Sequence, residues 1–401
     1  DGLGIRDILK EDWENAWSNE GCFGDDEHKI FRYFYKFFST QSKKSDFRIL
    51  NVWGKVKSYF QVFEEWYNDI ELYHYVGYLV HICPKYENKP IVEYLFDCWA
   101  KSSSKKEFID KLKEIIKNSI ELCKDLNKQY EIDGEPKKTT CRPILLLHNV
   151  LTILNQNKSL QDSDRYQGYL GTRFPFHLFK KEAYKGGRYG WEVEHIASNA
   201  GDCDDNKGIL LYLYSAKDYV SDNLRGKIEN INREDVKTLN DLRNEVNKEL
   251  KINWSDEDKN KIWNFTLLDS GTNQQYHNAV FPFKRIFVIN KENGIKTEFY
   301  IDKENKLVFN EDFKDVAFVP VCTKNVFVKG YTKNPQTLSA WTKEDAADYL
   351  RNMEQVLMEY IYPELYKIRV DSRPALNNRI ICQIDRAVLN RYIQYITNVK
   401  K

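Results

Sequence analysis

The first third of the chain places apolar side chains with the period of an α-helix. Phe31, Phe34, Tyr35 and Phe38 recur at i, i+3, i+4 and i+7, and Val52, Val56, Tyr59, Phe60 and Phe63 continue in the same rhythm. Each stripe predicts an amphipathic helix that turns its aromatic face into a core. Such a face can also stack single-stranded bases, but helical spacing favours the core. Ile91 to Trp99 and Phe108 to Leu126 predict further helices, separated by the polar loop Lys101-Ser102-Ser103-Ser104-Lys105-Lys106. A second loop, Glu131 to Thr140 with Gly134 and Pro136, leads into the apolar stretch Pro143 to Leu154, which reads as a buried helix.

The pattern changes after a boundary at about Gln156 to Tyr169. Gly186-Gly187 introduces a strand over Trp191 to Ile196, and a charged, helical insertion is expected at about 215–250. Phe299-Tyr300-Ile301 and Lys306-Leu307-Val308-Phe309 alternate like strands around a turn at Asp302 to Asn305, and Val316 to Val321 predicts another strand. Thr342, with Asp345 three residues on, predicts a capped helix over about 343–367, and a last helix is expected over about 378–397. The fold class is therefore α+β, mainly helical. A helical domain at 1–170 precedes a mixed domain at 171–345, and helices at 346–401 close the chain.

Composition narrows the function classes. A chain of 401 residues exceeds one ordinary core, and 42% hydrophobic with 30% charged residues is the balance of a globular protein. Its 61 basic and 60 acidic residues nearly cancel, so binding to nucleic acid has to rest on local basic patches rather than on net charge. Cys22, Cys83, Cys98, Cys123, Cys141, Cys203, Cys322 and Cys382 form no C-x-x-C pair, which predicts reduced, mostly buried thiols and neither a zinc ribbon nor a disulfide scaffold. Pro143 to Leu154 is interrupted by His148 and Asn149 and is too short to span a bilayer, and no charged-then-apolar leader is present. The expectation is a cytoplasmic protein with no membrane association. Gly201 to Gly208 superficially suggests a calcium loop but lacks the spacing and closing glutamate of an EF-hand, so it reads as a solvated turn.

Candidate chemistry centres on Glu194 and His195. Hydrolysis of a phosphodiester needs a base near neutral pH, which suits the imidazole of His195. The extra negative charge of the transition state can be offset by a divalent cation held by oxygen donors, for which Glu194 and Asn273 have the right chemistry. Asn264 can orient His195 through its amide or its backbone carbonyl. Neighbours on a strand point to opposite faces, so Glu194 and His195 can serve one phosphate only at a bulge or at the end of the strand. Thr272 can cap a helix starting near Asn273, with Pro282 ending or kinking it. His277 reads as satisfied by its neighbours, with an added ligand as the alternative.

Three segments, Arg173-Phe174-Pro175-Phe176, Trp191-Glu192-Val193-Glu194-His195-Ile196 and Trp263-Asn264-Phe265-Thr266-Leu267-Leu268, are followed by Thr272-Asn273, Asn278 and Phe281-Pro282-Phe283-Lys284-Arg285. Together they resemble the nuclease part of the GmrSD-type restriction endonucleases, within the HNH or His-Me finger group. The likeness runs from about Arg173 to about Asp345, including Val319 to Lys329. It reaches upstream through Trp66-Tyr67, Leu72 to Tyr78 and Leu145 to Val150, which are similar to the helical segment preceding this nuclease.

The resemblance implies an HNH (ββα-metal) domain in which His195 activates water and Asn264 orients it. Glu194 and Asn273 would hold one Mg²⁺ or Mn²⁺, since 273 − 264 = 9 is the family's spacing. Lys284 and Arg285 fall on basic positions and imply contact with the phosphate backbone. The implied activity is a DNA endonuclease of a defence or modification-dependent restriction system, with homodimerisation one route to double-strand cuts. A non-catalytic nucleic-acid-binding or assembly subunit and a ribonuclease toxin are the alternatives. The sequence departs from the pattern twice. His195 and Asn264 are 69 positions apart (264 − 195), so an insertion separates the two strands. The family's Asp-Gly-Gln-Gln-Arg motif is missing, so a ParB-like nucleotide-hydrolysing sensor is expected as a partner or as part of a longer chain.

Overall fold

The structure is a computed structural model. It describes residues 49–371 except 131–136, 164–169, 180–190, 198–205, 233–234, 251, 253, 271, 273–278, 304–306 and 315. The stripe at Phe31 to Phe38 and the helix expected over 378–397 lie outside the described residues. So do Asn273, His277, Asn278 and most of the Gly201 to Gly208 turn. The chain divides into two units, Asp1–Ile116 and Lys117–Lys401, earlier than the boundary read near 170.

The first unit contains α1 (Ile49–Asn68), α2 (Ile70–Ile82), a short antiparallel pair of β1 (Lys85–Tyr86) and β2 (Lys89–Pro90), α3 (Ile91–Lys101) and α4 (Lys105–Ser119). Asp69 separates α1 from α2. Its carboxylate accepts from Glu71 N at 3.0 Å and Leu72 N at 2.9 Å, satisfying two of the donors that every helix start leaves open. Partial burial raises the pKa of that carboxyl, but the Lys105 hydrogen bond and the two backbone donors outweigh it and hold it below the usual carboxylate range. Trp66 organises the core, its ring stacked 5.6 Å from Phe108 and tilted against Phe96 at 4.9 Å. The stripe on α1 does not face inward throughout. Tyr59 is 40% exposed although its ring meets Phe96 edge-on at 4.8 Å, and Phe60 is 54% exposed.

The second unit starts with α5 (Arg142–Gln161), whose Pro143 sits in the first turn, where a missing N–H costs nothing. It continues through β3 (Trp191–His195), the helical insertion α6 (Asn206–Ala216), α7 (Asp222–Glu229) and α8 (Val236–Glu249), then α9 (Asp256–Lys259) and β4 (Phe265–Asp269). After β4 come α10 (Phe281–Glu292), the antiparallel pair β5 (Lys296–Ile301) and β6 (Leu307–Asp312), α11 (Val321–Phe327), α12 (Lys343–Ile361) and α13 (Pro363–Asp371). Among the described residues the fold is thus mainly helical with small two-stranded antiparallel sheets.

Two local expectations are corrected. Pro282 does not end a helix; it lies in the first turn of α10 behind the cap Val280, where its fixed φ favours a start. Val316 to Val321 adds no strand. Pro320 caps α11 instead, and Val321 is the first residue of that helix.

α5 packs against β4, α11 and α12 and runs through the core. His148 at its centre is fully buried; its Nε2–H donates to Asn352 Oδ1 at 2.8 Å, and its ring lies beside those of Tyr331 and Tyr349. Burial pushes its pKa down to about 4, with the Asn352 bond opposing. Next to it, Asn149 Oδ1 accepts from Cys322 N at 2.8 Å, and burial pushes the Cys322 thiol up to about 11. Cys83, Cys98, Cys123, Cys141 and Cys322 are free thiols, the last three buried. The start of α12 carries the capping box read in the sequence, with Asp345 N donating to Thr342 Oγ1 at 3.2 Å and Thr342 N to Asp345 Oδ2 at 2.9 Å. Among the described residues no helix is long and apolar enough to cross a membrane.

Candidate active site

β3 and β4 pair antiparallel in an unbroken register, Trp191 opposite Asp269, Glu194 opposite Thr266 and His195 opposite Phe265. β4 is rich in β-branched, aromatic and leucine side chains, β3 carries Trp191 and Val193 among polar residues, and both are buried on both faces. No bulge interrupts the pairing, and His195 is the last residue of its strand. The chain between the two strands leaves and returns through α6, α7 and α8. Ser215 Oγ on α6 accepts from Val280 N at 3.0 Å, which ties this insertion to the start of α10.

Alternation sends the two candidate side chains to opposite faces. On one face, Glu194 Oε1 accepts from Lys284 Nζ on α10 at 3.1 Å, and Thr266 meets Thr323 of α11 at 2.7 Å between hydroxyls. On the other, the His195 ring lies 4.8 Å from Phe265 and its Nε2 is 3.2 Å from Asn260 Oδ1. With Nε2 carrying the proton and donating to that oxygen, Nδ1 is the ring nitrogen with the lone pair. Glu194 is 7% and His195 6% exposed, so both reach solvent by an edge only.

Asn264 acts on the backbone beyond His195 and not on the imidazole. Its carbonyl accepts from Ile196 N at 2.8 Å, its Oδ1 accepts from Ala197 N at 2.8 Å, and its Nδ2 donates to Ala197 O at 3.2 Å and to Lys259 O at 2.9 Å. A group that does bond the imidazole is Asn260, four residues earlier at the end of α9. Sequence reading passes over it, because 65 residues separate it from His195 and its only cue is its place in the turn entering β4.

Lys284 and Arg285, expected side by side at the surface, part company. Lys284 is 0% exposed; besides Glu194 it donates to the His195 carbonyl at 2.7 Å, so the expectation of a surface phosphate contact is corrected for this residue. α10 faces the strand pair here. Seven residues on, about 10.5 Å along the helix axis, Lys291 Nζ lies 3.9 Å from Asp269, which pairs with Trp191 three residues before Glu194. Three strand residues span roughly 10 Å, so the two lysines match the length of the pair. Arg285 is half-buried, and its Nε has no hydrogen-bond partner among the described residues.

The donor set suits a hard divalent cation in type. Glu194 commits one carboxylate oxygen to Lys284, its side chain keeps 10% of its surface exposed, and among the described residues no hydrogen bond ends on Oε2. Among those residues no three His, Cys, Asp or Glu side chains are grouped to enclose a metal, so the site as described has one carboxylate oxygen to offer. Comparison with protein-family profiles, with curated proteins and with solved structures finds no match to this chain.

Proposed function

We propose that this protein is a metal-dependent, HNH-type endonuclease that hydrolyses DNA phosphodiesters. The observation that carries the reading is the end of β3, where a histidine held at Nε2 by Asn260 follows directly on a carboxylate that still has an oxygen to offer. The antiparallel pair of β3 and β4 supports the reading, while the helix expected to carry Asn273 lies outside the described residues. In the reaction, Nδ1 of His195 takes a proton from water as it attacks phosphorus, and Asn260 keeps the imidazole in the required tautomer. Asn264 fixes the chain after His195, so that the base does not swing away from its strand. Glu194, together with Asn273, would hold Mg²⁺ or Mn²⁺, which supplies charge stabilisation at the leaving oxygen. Arg285, half-buried, is the one of the two basic residues left to meet the phosphate backbone.

The defence or restriction setting, a cytoplasmic location, a ParB-like sensor partner and a homodimer for double-strand cutting belong to the same proposal. A second reading draws on Lys284. A carboxylate already neutralised by a buried ammonium also suits a non-catalytic nucleic-acid-binding or assembly subunit. The test is nicking of supercoiled plasmid, plain and modified, with RNA in parallel, in Mg²⁺, Mn²⁺ or EDTA. Metal-dependent nicking by wild type that His195→Ala abolishes is the expected result. Cutting of RNA alone moves the substrate to the ribonuclease alternative, and binding without cutting under every condition favours the subunit reading.

A further inference from the structure

Lys284 is a buried cation whose burial the chemistry above leaves unused. Its ammonium lies wholly out of solvent, 3.1 Å from Glu194 Oε1 and 2.7 Å from the His195 carbonyl oxygen. A buried lysine is costly unless charge and hydrogen bonds compensate. A carboxylate and a backbone carbonyl contribute here, and they belong to consecutive residues. The ammonium thus ties the Glu194 side chain to the backbone of His195 at the end of the strand.

We propose that Lys284 is a positioning residue of this site, clamping Glu194 to the His195 backbone, and that a divalent cation using Glu194 binds beside, and against, this fixed positive charge. The proposal rests on the nuclease reading only for the meaning of the cation; the clamp is a property of the fold. Its physical consequence is that Glu194 binds a free metal weakly. Its two oxygens serve unequal duties, Oε1 fixed by Lys284 and Oε2 without a hydrogen bond among the described residues. A positive charge within a few ångströms disfavours a second, divalent one by well over tenfold in affinity in a partly buried setting. A bound phosphodiester, being anionic, would relieve that repulsion, so metal and substrate should bind with positive cooperativity.

The test uses the full chain and Mn²⁺ alone, with free Mn²⁺ read by electron paramagnetic resonance and the unfolding midpoint followed with and without the metal. Lys284→Met is expected to bind Mn²⁺ at least about tenfold more tightly than wild type. Its midpoint, lowered in EDTA, should rise in Mn²⁺ more than that of wild type, because the metal replaces the missing ammonium. Lys284→Arg, which keeps the charge, should bind as weakly as wild type, and Lys284→Met/Glu194→Gln should lose the response. If Lys284→Met does not fold, Lys284→Gln, a neutral donor, takes its place with the same expectations. Equal Mn²⁺ affinity in wild type and the neutral variant, or a response that survives Glu194→Gln, overturns the proposal. Nicking is scored separately. A shifted Mn²⁺ affinity in a protein that never cuts would sink the nuclease reading and leave the clamp standing, and cutting with unshifted affinity would do the reverse.

Discussion

Asn264 and Ala197 bond each other twice, Ala197 N donating to Asn264 Oδ1 at 2.8 Å and Asn264 Nδ2 donating to Ala197 O at 3.2 Å. The asparagine amide mimics a short piece of strand and extends the β3–β4 ladder two residues past His195. Asn264 is 0% and Ala197 5% exposed, so water cannot substitute for either bond. Asn264→Ala strands a buried N–H and a buried carbonyl and is expected to cost about 2–4 kcal/mol, measurable by urea unfolding. Asn264→Asp keeps the acceptor but loses the donor and buries a charge, so it should be at least as damaging. Either variant matching wild type would remove the strand-end argument.

The contact between His195 Nε2 and Asn260 separates a base from its orienter. Loss of a general base lowers the rate by roughly 10²–10⁴, which is the expectation for His195→Ala in plasmid nicking. Asn260→Ala leaves the imidazole in place but frees its tautomer and should cost less, about tenfold, with a shift in the pH–rate profile of nicking. Asn260→Asp should move that profile upward in pH, since a carboxylate beside the ring favours its protonated form. A profile identical in all three proteins would show that Asn260 does not act through His195.

How far the sequence anticipates this site depends on whether a feature is local. The strands beside Glu194, His195 and Asn264 are legible because their own apolar residues mark them, whereas the pairing of His195 with Phe265 is known only from the structure. The capping box at Thr342 and Asp345 is legible for the same reason, being complete within four residues. Lys284 is not, because a Lys-Arg pair looks like surface until the facing of α10 is known. Nor is Asn260, whose role exists only once 65 residues of insertion have returned the chain to β3. Val316 to Val321 shows another limit: an apolar run marks burial, and Pro320 rather than hydrophobicity decides that a helix begins there.

His148 predicts an acid sensitivity unconnected with the candidate site. Folding buries it neutral and lowers its pKa to about 4 from an unfolded value near 6.5, so between these values the unfolded chain binds more protons. Stability is therefore fully present above about pH 6.5 and falls as the pH drops toward 4, by about 3 kcal/mol. Unfolding free energies at pH 7, 6, 5 and 4 should show this decline. It should be shallower in His148→Gln, which can still donate to Asn352 and does not titrate, and equal slopes in the two proteins would refute the assignment.

Asp345 joins three segments at the start of α12. It caps the helix reciprocally with Thr342, accepts from Thr332 Oγ1 at 2.7 Å, and pairs with Lys329 Nζ at 2.5 Å, where lysine and aspartate side chains are 1% and 2% exposed. Lys329 adopts a left-handed backbone at φ 57°, a conformation that lysine rarely takes, and its ammonium lies 5.3 Å from the centre of the Phe281 ring at the head of α10. The turn after α11 thus holds an unfavourable backbone so that one buried charge can serve α12 and α10 together. Removing one partner of such a pair leaves the other charge buried alone, at a cost of about 3–5 kcal/mol. Asp345→Ala should therefore lower the unfolding midpoint much more than Asp258→Ala, which removes the longer, more exposed contact to Lys343 at 3.7 Å. Lys329→Met/Asp345→Ala, with both charges gone, should recover part of the loss. A double variant no more stable than Asp345→Ala would mean that the cap and the threonine bonds, and not the ion pair, hold this end of α12.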